Sequence, residues 1–227
     1  MTTTTRQAAE AERLDPRPGA AVYTRRLLGF YDPFVLGFSN TYLWRCPTTH
    51  LLDWYNQHVS DRHLDVGVGT GYFLDRCRFP SPNPTVALLD LNVEALRFTE
   101  HRIARHHPIS YRGSVLEPVK IPLAPFRSIG INYVLHCLPG QMGTKTRVFE
   151  CLRPLLADDG VLFGATILGA PEPRSLLARG VMRFYNWRGI FGNRADTIEG
   201  LEAALAGSFR TVEISIRGSV ARFAAKP

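Results

Sequence analysis

Residues 63–74, HLDVGVGTGYFL, constrain the fold more than any other stretch of this chain. Leu64 and Val66 are strand formers, Asp65 stands near the strand's end, and Gly67, Gly69 and Gly71 follow at alternate positions, where the missing β-carbons let a ligand approach the backbone. The pattern predicts a short buried strand feeding through a glycine turn into a helix that begins near Thr70, the arrangement by which wound α/β folds hold nucleotides. A tight connection without a ligand is the plain alternative. A dinucleotide fingerprint needs its third glycine one place later, where Tyr72 stands, and this argues against a nicotinamide cofactor.

The rest of the chain alternates strands and helices. Residues Thr85 to Leu89 read as a second strand ending in Asp90, a carboxylate able to accept from two vicinal hydroxyls at once. Asn92 heads a helical run as its cap, with a ribose contact as the second reading. Ile109 to Arg112 form a third strand, followed by the turn Gly113, Ser114, Val115, Leu116. The apolar stretch 126–140, FRSIGINYVLHCLPG, is a fourth, with Asn132, Tyr133 and His136 toward its carboxyl end and no acid anywhere in it. A helix over 144–156, a turn at Asp158 to Gly160, a strand over 161–168, a helix over 197–206 and a closing hairpin through Gly218 and Ser219 complete the order. Such alternation predicts an α/β, doubly wound, mostly parallel sheet with helices on both faces.

The acid-x-Gly-x-Gly-x-Gly run, with Asp90 following at the ribose distance, resembles the class I S-adenosylmethionine-dependent methyltransferases, in their small-molecule, natural-product branch. The resemblance spans roughly residues 60 to 225. It implies a Rossmann-like seven-stranded sheet with an antiparallel last strand, and S-adenosyl-L-methionine as cofactor. It also implies a cofactor set of Asp65, Gly67, Gly69, Gly71, Asp90, Leu91, Asn92, Ser114, Val115 and Asn132. In that set Asp90 grips the ribose and Leu91 and Val115 flank the purine. Ser114 stands where many relatives carry an acid against the adenine, and is equally a simple turn residue. A Leu-His pair follows this strand in many small-molecule methyltransferases, which makes His136 a candidate base for an acceptor hydroxyl, a packed core histidine being the other reading. Tyr31 is the second catalytic candidate.

No metal is implied, because the acidic cluster of catechol-type relatives is missing after the fourth strand. The paired glutamates of protein arginine methyltransferases and the Asn-Pro-Pro-Tyr loop of base-amino methyltransferases are missing too. The expected reaction is methyl transfer to a small acceptor in secondary metabolism, with O-methylation favoured over C- or N-methylation. An RNA-modifying methyltransferase and a non-catalytic S-adenosylmethionine-binding protein are the alternatives.

Three regions are expected: a mobile tail over 1–19, a helical lid over 20–60 and the methyltransferase core over 61–227. The lid is rich in aromatics, of which Tyr23 and Trp44 are candidates for the acceptor pocket, and Tyr185 and Trp187 are candidates for a second wall. Lysine occurs only at 120, 145 and 226, so the net charge of +7 rests on scattered arginines without a phosphate-tracking stripe. Nucleic acid is therefore disfavoured as a partner, while an acidic carrier protein is compatible. No apolar run reaches membrane-spanning length. Cys46, Cys77, Cys137 and Cys151 show no metal-ligand or disulfide spacing, which points to the cytoplasm.

Overall fold

Alternate residues of β1 (Arg62–Val66) face opposite sides of a sheet, Leu64 and Val66 toward one, His63 and Asp65 toward the other, and both sides are covered. The computed structural model describes residues 32–169 and 175–227. The strands that follow β1 are β2 (Thr85–Asp90), β3 (Ile109–Arg112), β4 (Phe126–Asn132), β5 (Leu156–Ile167), β6 (Thr211–Arg217) and β7 (Val220–Lys226). They form one sheet in the order β3-β2-β1-β4-β5-β7-β6. Six strands are parallel and β7 runs antiparallel to both β5 and β6, the Rossmann-like doubly wound arrangement expected from the sequence. Because β1 lies between β2 and β4, the winding reverses there, and a crevice opens at the carboxyl ends of these strands.

Helices α1 (Asp32–Leu43) and α2 (Thr48–His58) precede the sheet, and α3 (Tyr72–Arg76), α4 (Val93–Arg102), α5 (Met142–Leu152), α6 (Leu176–Trp187) and α7 (Ile198–Ala206) follow its strands. Trp54 and Tyr55 of α2, Leu74 of α3 and Ala95 and Leu96 of α4 pack on Val86 and Leu88 of β2. On the opposite face Val148, Phe149 and Leu152 of α5 and Leu201 and Leu205 of α7 cover Leu64, Val66, Ile129 and Ile131. A third cluster joins Leu43, Trp44, Ala178, Met182 and Phe191 over Ala165 and Ile167 at the end of β5. Helix α1 has the wide turns of π-type hydrogen bonding, with Trp44 N–H donating to Ser39 O at 2.9 Å.

Two expectations shift at element boundaries. The helix after the glycine turn begins at Tyr72 rather than Thr70, because Gly71 still has φ +69°, a left-handed backbone that no helix continues. Asp158 to Gly160 are drawn into β5 as a bulge: Phe126 pairs with Leu156 while Ser128 pairs with Val161, leaving the residues between them unopposed.

Lys145 of α5 and Asp196, just before α7, are both wholly buried, with Nζ 2.6 Å from Oδ2. The ammonium also donates to Gly192 O at 3.0 Å, so it ties the 188–197 loop to α5. Among the described residues no helix is long and apolar enough to cross a membrane.

Candidate active site

The turn from β1 to α3 forms the floor of a cavity of about 1120 Å³, counting its open mouth, at the carboxyl ends of β1, β2 and β4. Gly67 N–H donates to Leu89 O and Gly71 N–H to Val68 O, both at 2.8 Å, and Gly67, Gly69 and Gly71 all have positive φ, at 70°, 54° and 69°. The three glycines meet different surroundings. A β-carbon at Gly67 would lie 2.1 Å from Val134 Cγ2, and one at Gly71 would lie 2.8 Å from Thr99 Cγ2. At Gly69 it would meet nothing within 4 Å. Gly67 and Gly71 thus serve the packing of the turn, while Gly69 keeps backbone open to the cavity. Gly67→Ala is expected to destabilise the fold by about 2 kcal/mol, from overpacking together with a strained φ. A companion Val134→Ala change should recover part of the loss in thermal melts, since it removes the clash and leaves the strain.

Asp90 ends β2 at the cavity's rim. Its carboxylate accepts from Asn92 N–H at 2.8 Å and from the backbone N–H groups of Gly69 and Val68. Burial outweighs those donors and pushes the carboxyl up from 3.8 to about 6. Leu91, Ser114 and Val115 line the same side, where Ser114 Oγ also accepts from Leu116 N–H at 3.2 Å. Asn92 does not line the cavity: its Oδ1 accepts from Glu94 N–H at 2.8 Å and Ala95 N–H at 3.4 Å, and it caps α4. Asn132 does line it, and its Nδ2 is buried with no partner among the described residues. On the floor, Asp65 accepts from the hydroxyl of Tyr55 at 2.7 Å. The cavity therefore offers a carboxylate at each end, open backbone between them and an unused amide donor. This set fits a molecule with a hydroxyl-bearing sugar and a cationic amino-acid end.

The candidates for chemistry fare differently. His136 is buried and does not line the cavity. Its ring meets Phe191 edge-on with centroids 4.6 Å apart, and Nδ1 accepts from Ile167 N–H at 3.2 Å. The neutral ring then carries its proton on Nε2, where it is a donor. Burial and the nearby Lys145 charge hold its pKa down to about 3. The base reading of His136 is corrected on both grounds, since a base needs a free ring nitrogen and a pKa near the working pH. Trp44 is 2% exposed and packs against Phe191, so it is core rather than pocket wall. Tyr185 packs on Phe191 at 5.0 Å without reaching the cavity, and Trp187 stands 72% exposed on α6. Tyr23 and Tyr31 lie outside the described residues.

In their place the cavity's lining includes an apolar wall of Leu36, Tyr72, Phe73, Tyr133, Val134, Cys137 and Leu138. Tyr133, directly after β4, has φ +60°, and its hydroxyl donates to Oδ1 of the buried Asn40 at 2.9 Å. Asn40 Nδ2 in turn donates to Thr48 Oγ1 at 2.8 Å. This chain fastens α1 and the start of α2 to the end of β4. Tyr133→Phe leaves Asn40 Oδ1 without that donor and is expected to cost about 1–2 kcal/mol, read as a fall in Tm of about 2–8 °C. The periodicity that predicted the lid helices gives no hint of this bond, because it depends on one left-handed residue in another element.

No protein-family model matches the chain. Among curated proteins it is 37% identical over 209 residues to the physcion biosynthesis cluster O-methyltransferase of Aspergillus chevalieri, covering 91% of this chain and 94% of the relative. It is 34% identical over 202 residues to the demethylluteothin O-methyltransferase of Streptomyces thioluteus, covering 89% and 88%. Among solved structures, that of the DhpI–SAH complex shares the fold with a TM-score of 0.64 at 12% identity, over 93% of this chain and 96% of the other.

Proposed function

Because the chain belongs to the class I S-adenosylmethionine-dependent methyltransferases that act on small molecules, we propose that it methylates a weakly acidic hydroxyl, a phenol or an enol, on a small secondary metabolite. Bound in the cavity, S-adenosylmethionine supplies a methyl group already activated by its sulfonium. Asp90 accepts from the ribose hydroxyls, Leu91 and Val115 flank the purine, and Ser114 offers its hydroxyl to the adenine edge. Gly67, Gly69 and Gly71 keep the floor low, Asp65 meets the ammonium, and Asn132 Nδ2 gains an acceptor.

The observation that carries the acceptor class is the apolar wall. Its titratable members are Tyr72, Tyr133, whose hydroxyl donates to Asn40, and Cys137, whose thiol burial pushes up to about 12. Tyr133 donates its hydroxyl, Cys137 stays a thiol at neutral pH, His136 lies off the cavity as a donor, and both cavity aspartates are engaged on the donor side. An acceptor that ionises by itself needs no base: the wall excludes water and aligns the oxygen, and positioning supplies much of the rate.

The test uses purified protein, isotopically labelled donor and matched panels of phenols, enols, alcohols and amines on common skeletons. Label is expected in O-methyl ethers of the phenols and enols. At saturating donor the pH–rate midpoint should follow each acceptor's own hydroxyl pKa. A midpoint fixed near 6.5 across all acceptors would restore a histidine base, and label found only in RNA or only on nitrogen would overturn the reading.

A further inference from the structure

Beneath the floor of the cavity runs a buried line of polar side chains that the reading above does not use. His63 is fully buried, its Nε2 lies 2.7 Å from the Tyr55 hydroxyl, and its Nδ1 lies 2.8 Å from Ser128 Oγ. Ser128 Oγ accepts from Ser60 N–H at 2.9 Å and lies 2.8 Å from Ser60 Oγ. Tyr55 itself is 0% exposed. Its ring lies flat against Phe73 at 5.6 Å with 9° between planes, and edge-on to Phe163 at 5.1 Å, so its direction is fixed by packing.

The order of the protons follows from one end. A carboxylate only accepts, so the single proton of the Tyr55 hydroxyl goes to Asp65 Oδ2. The phenolic oxygen is then the acceptor for His63 Nε2–H, and Nδ1 is hydrogen-bonded to the Ser128 hydroxyl. The bonds from His63 through Tyr55 to Asp65 point the same way, and each strengthens its neighbour in surroundings poor in water. Burial and the adjacent Asp65 charge keep the Tyr55 hydroxyl protonated far above the working pH, so it remains a donor.

We propose that Tyr55 is a positioning residue for the amino-acid end of S-adenosylmethionine: backed by His63 and Ser128, its hydroxyl holds one oxygen of Asp65 so that the other faces the donor's ammonium. The proposal rests on the reading that Asp65 meets that ammonium. Tyr55 belongs to α2, whose first residue, Thr48, is bonded to Asn40 of α1, while Asp65 belongs to β1. Helix α1, whose Leu36 lines the cavity, is thereby linked through α2 to the carboxylate on the cavity's floor.

The experiment compares binding of S-adenosylmethionine, S-adenosylhomocysteine and 5′-methylthioadenosine, which keeps the nucleoside and lacks the amino-acid end, to wild type, Tyr55→Phe and Asp65→Asn. Tyr55→Phe is expected to weaken the first two ligands by about fivefold to twentyfold. Its affinity for 5′-methylthioadenosine should stay within about twofold, which also shows that the variant is folded. In steady state the donor KM should rise in step while kcat is retained, and Ser128→Ala should give a smaller change of the same kind. Equal loss for all three ligands, or no loss for any, would overturn the proposal. If Asp65→Asn leaves the ratio between ligands unchanged, the reading of Asp65 fails. If Asp65→Asn changes that ratio and Tyr55→Phe does not, the role of Tyr55 alone is lost.

Discussion

Replacing Asp90 with alanine is expected to weaken S-adenosylmethionine binding by about 100-fold or more, because two charge-assisted hydrogen bonds to the ribose, each worth about 1.5–3 kcal/mol, disappear together. Calorimetry with S-adenosylhomocysteine would measure it, and a loss under tenfold would place the sugar elsewhere. A pH dependence accompanies the loss. The carboxyl rises to about 6 because burial disfavours its charge, so wild-type affinity should fall as pH drops through about 6 and the protonated group ceases to accept from both hydroxyls. Stability moves in the other direction. A carboxyl whose pKa is higher folded than unfolded contributes stability that is complete below 3.8 and is lost as pH rises through about 6. Near pH 7.5 the donor-free protein therefore carries a buried anion at a cost on the order of 3 kcal/mol. Asp90→Asn should raise its Tm at pH 7.5, and hardly change it at pH 4, while still binding donor poorly.

Lys145→Met is expected to be the most destabilising single change, at about 3–5 kcal/mol, because it leaves the Asp196 carboxylate buried without its cation. Asp196 Oδ1 already has no hydrogen-bond partner among the described residues, so no local donor can take over. The fall in Tm should exceed about 6 °C. In Lys145→Met/Asp196→Leu no charge is left buried, and most of the stability should return. A double variant as unstable as the single one would show that the bond from Lys145 to Gly192 O, rather than the ion pair, holds the 188–197 loop.

The glycine turn and the place of Asp90 at the cavity's rim were legible in the sequence because their determinants are local. Left-handed turns demand glycine, strands end where their apolar alternation stops, and Asp90 closes its strand. The acceptor half was not legible, since residues of one type meet opposite fates that only packing decides. Trp44 lies inside the cluster around Phe191 while Trp187 stands in solvent, though both looked like pocket walls. For His136 the sequence left a base and a packed core residue both open, because its partner, the N–H of Ile167, lies in β5 beyond the last residue paired with β4. Tyr55 looked like one aromatic among many in the lid. Its meaning depends on a strand end ten residues later and on Ser128 in a different strand.

Val134 has a consequence for how such an enzyme changes its diet. Its side chain is wedged against the bare α-carbon of Gly67 on one side and forms part of the acceptor wall on the other. A bulkier residue there would lift the donor's bed along with narrowing the acceptor's room, and a smaller one would leave the bend unsupported. Leu36 and Leu138 line the same cavity without being among the atoms nearest a β-carbon at Gly67, so under the proposed function new acceptors would be accommodated by varying these two while Val134 stays as it is.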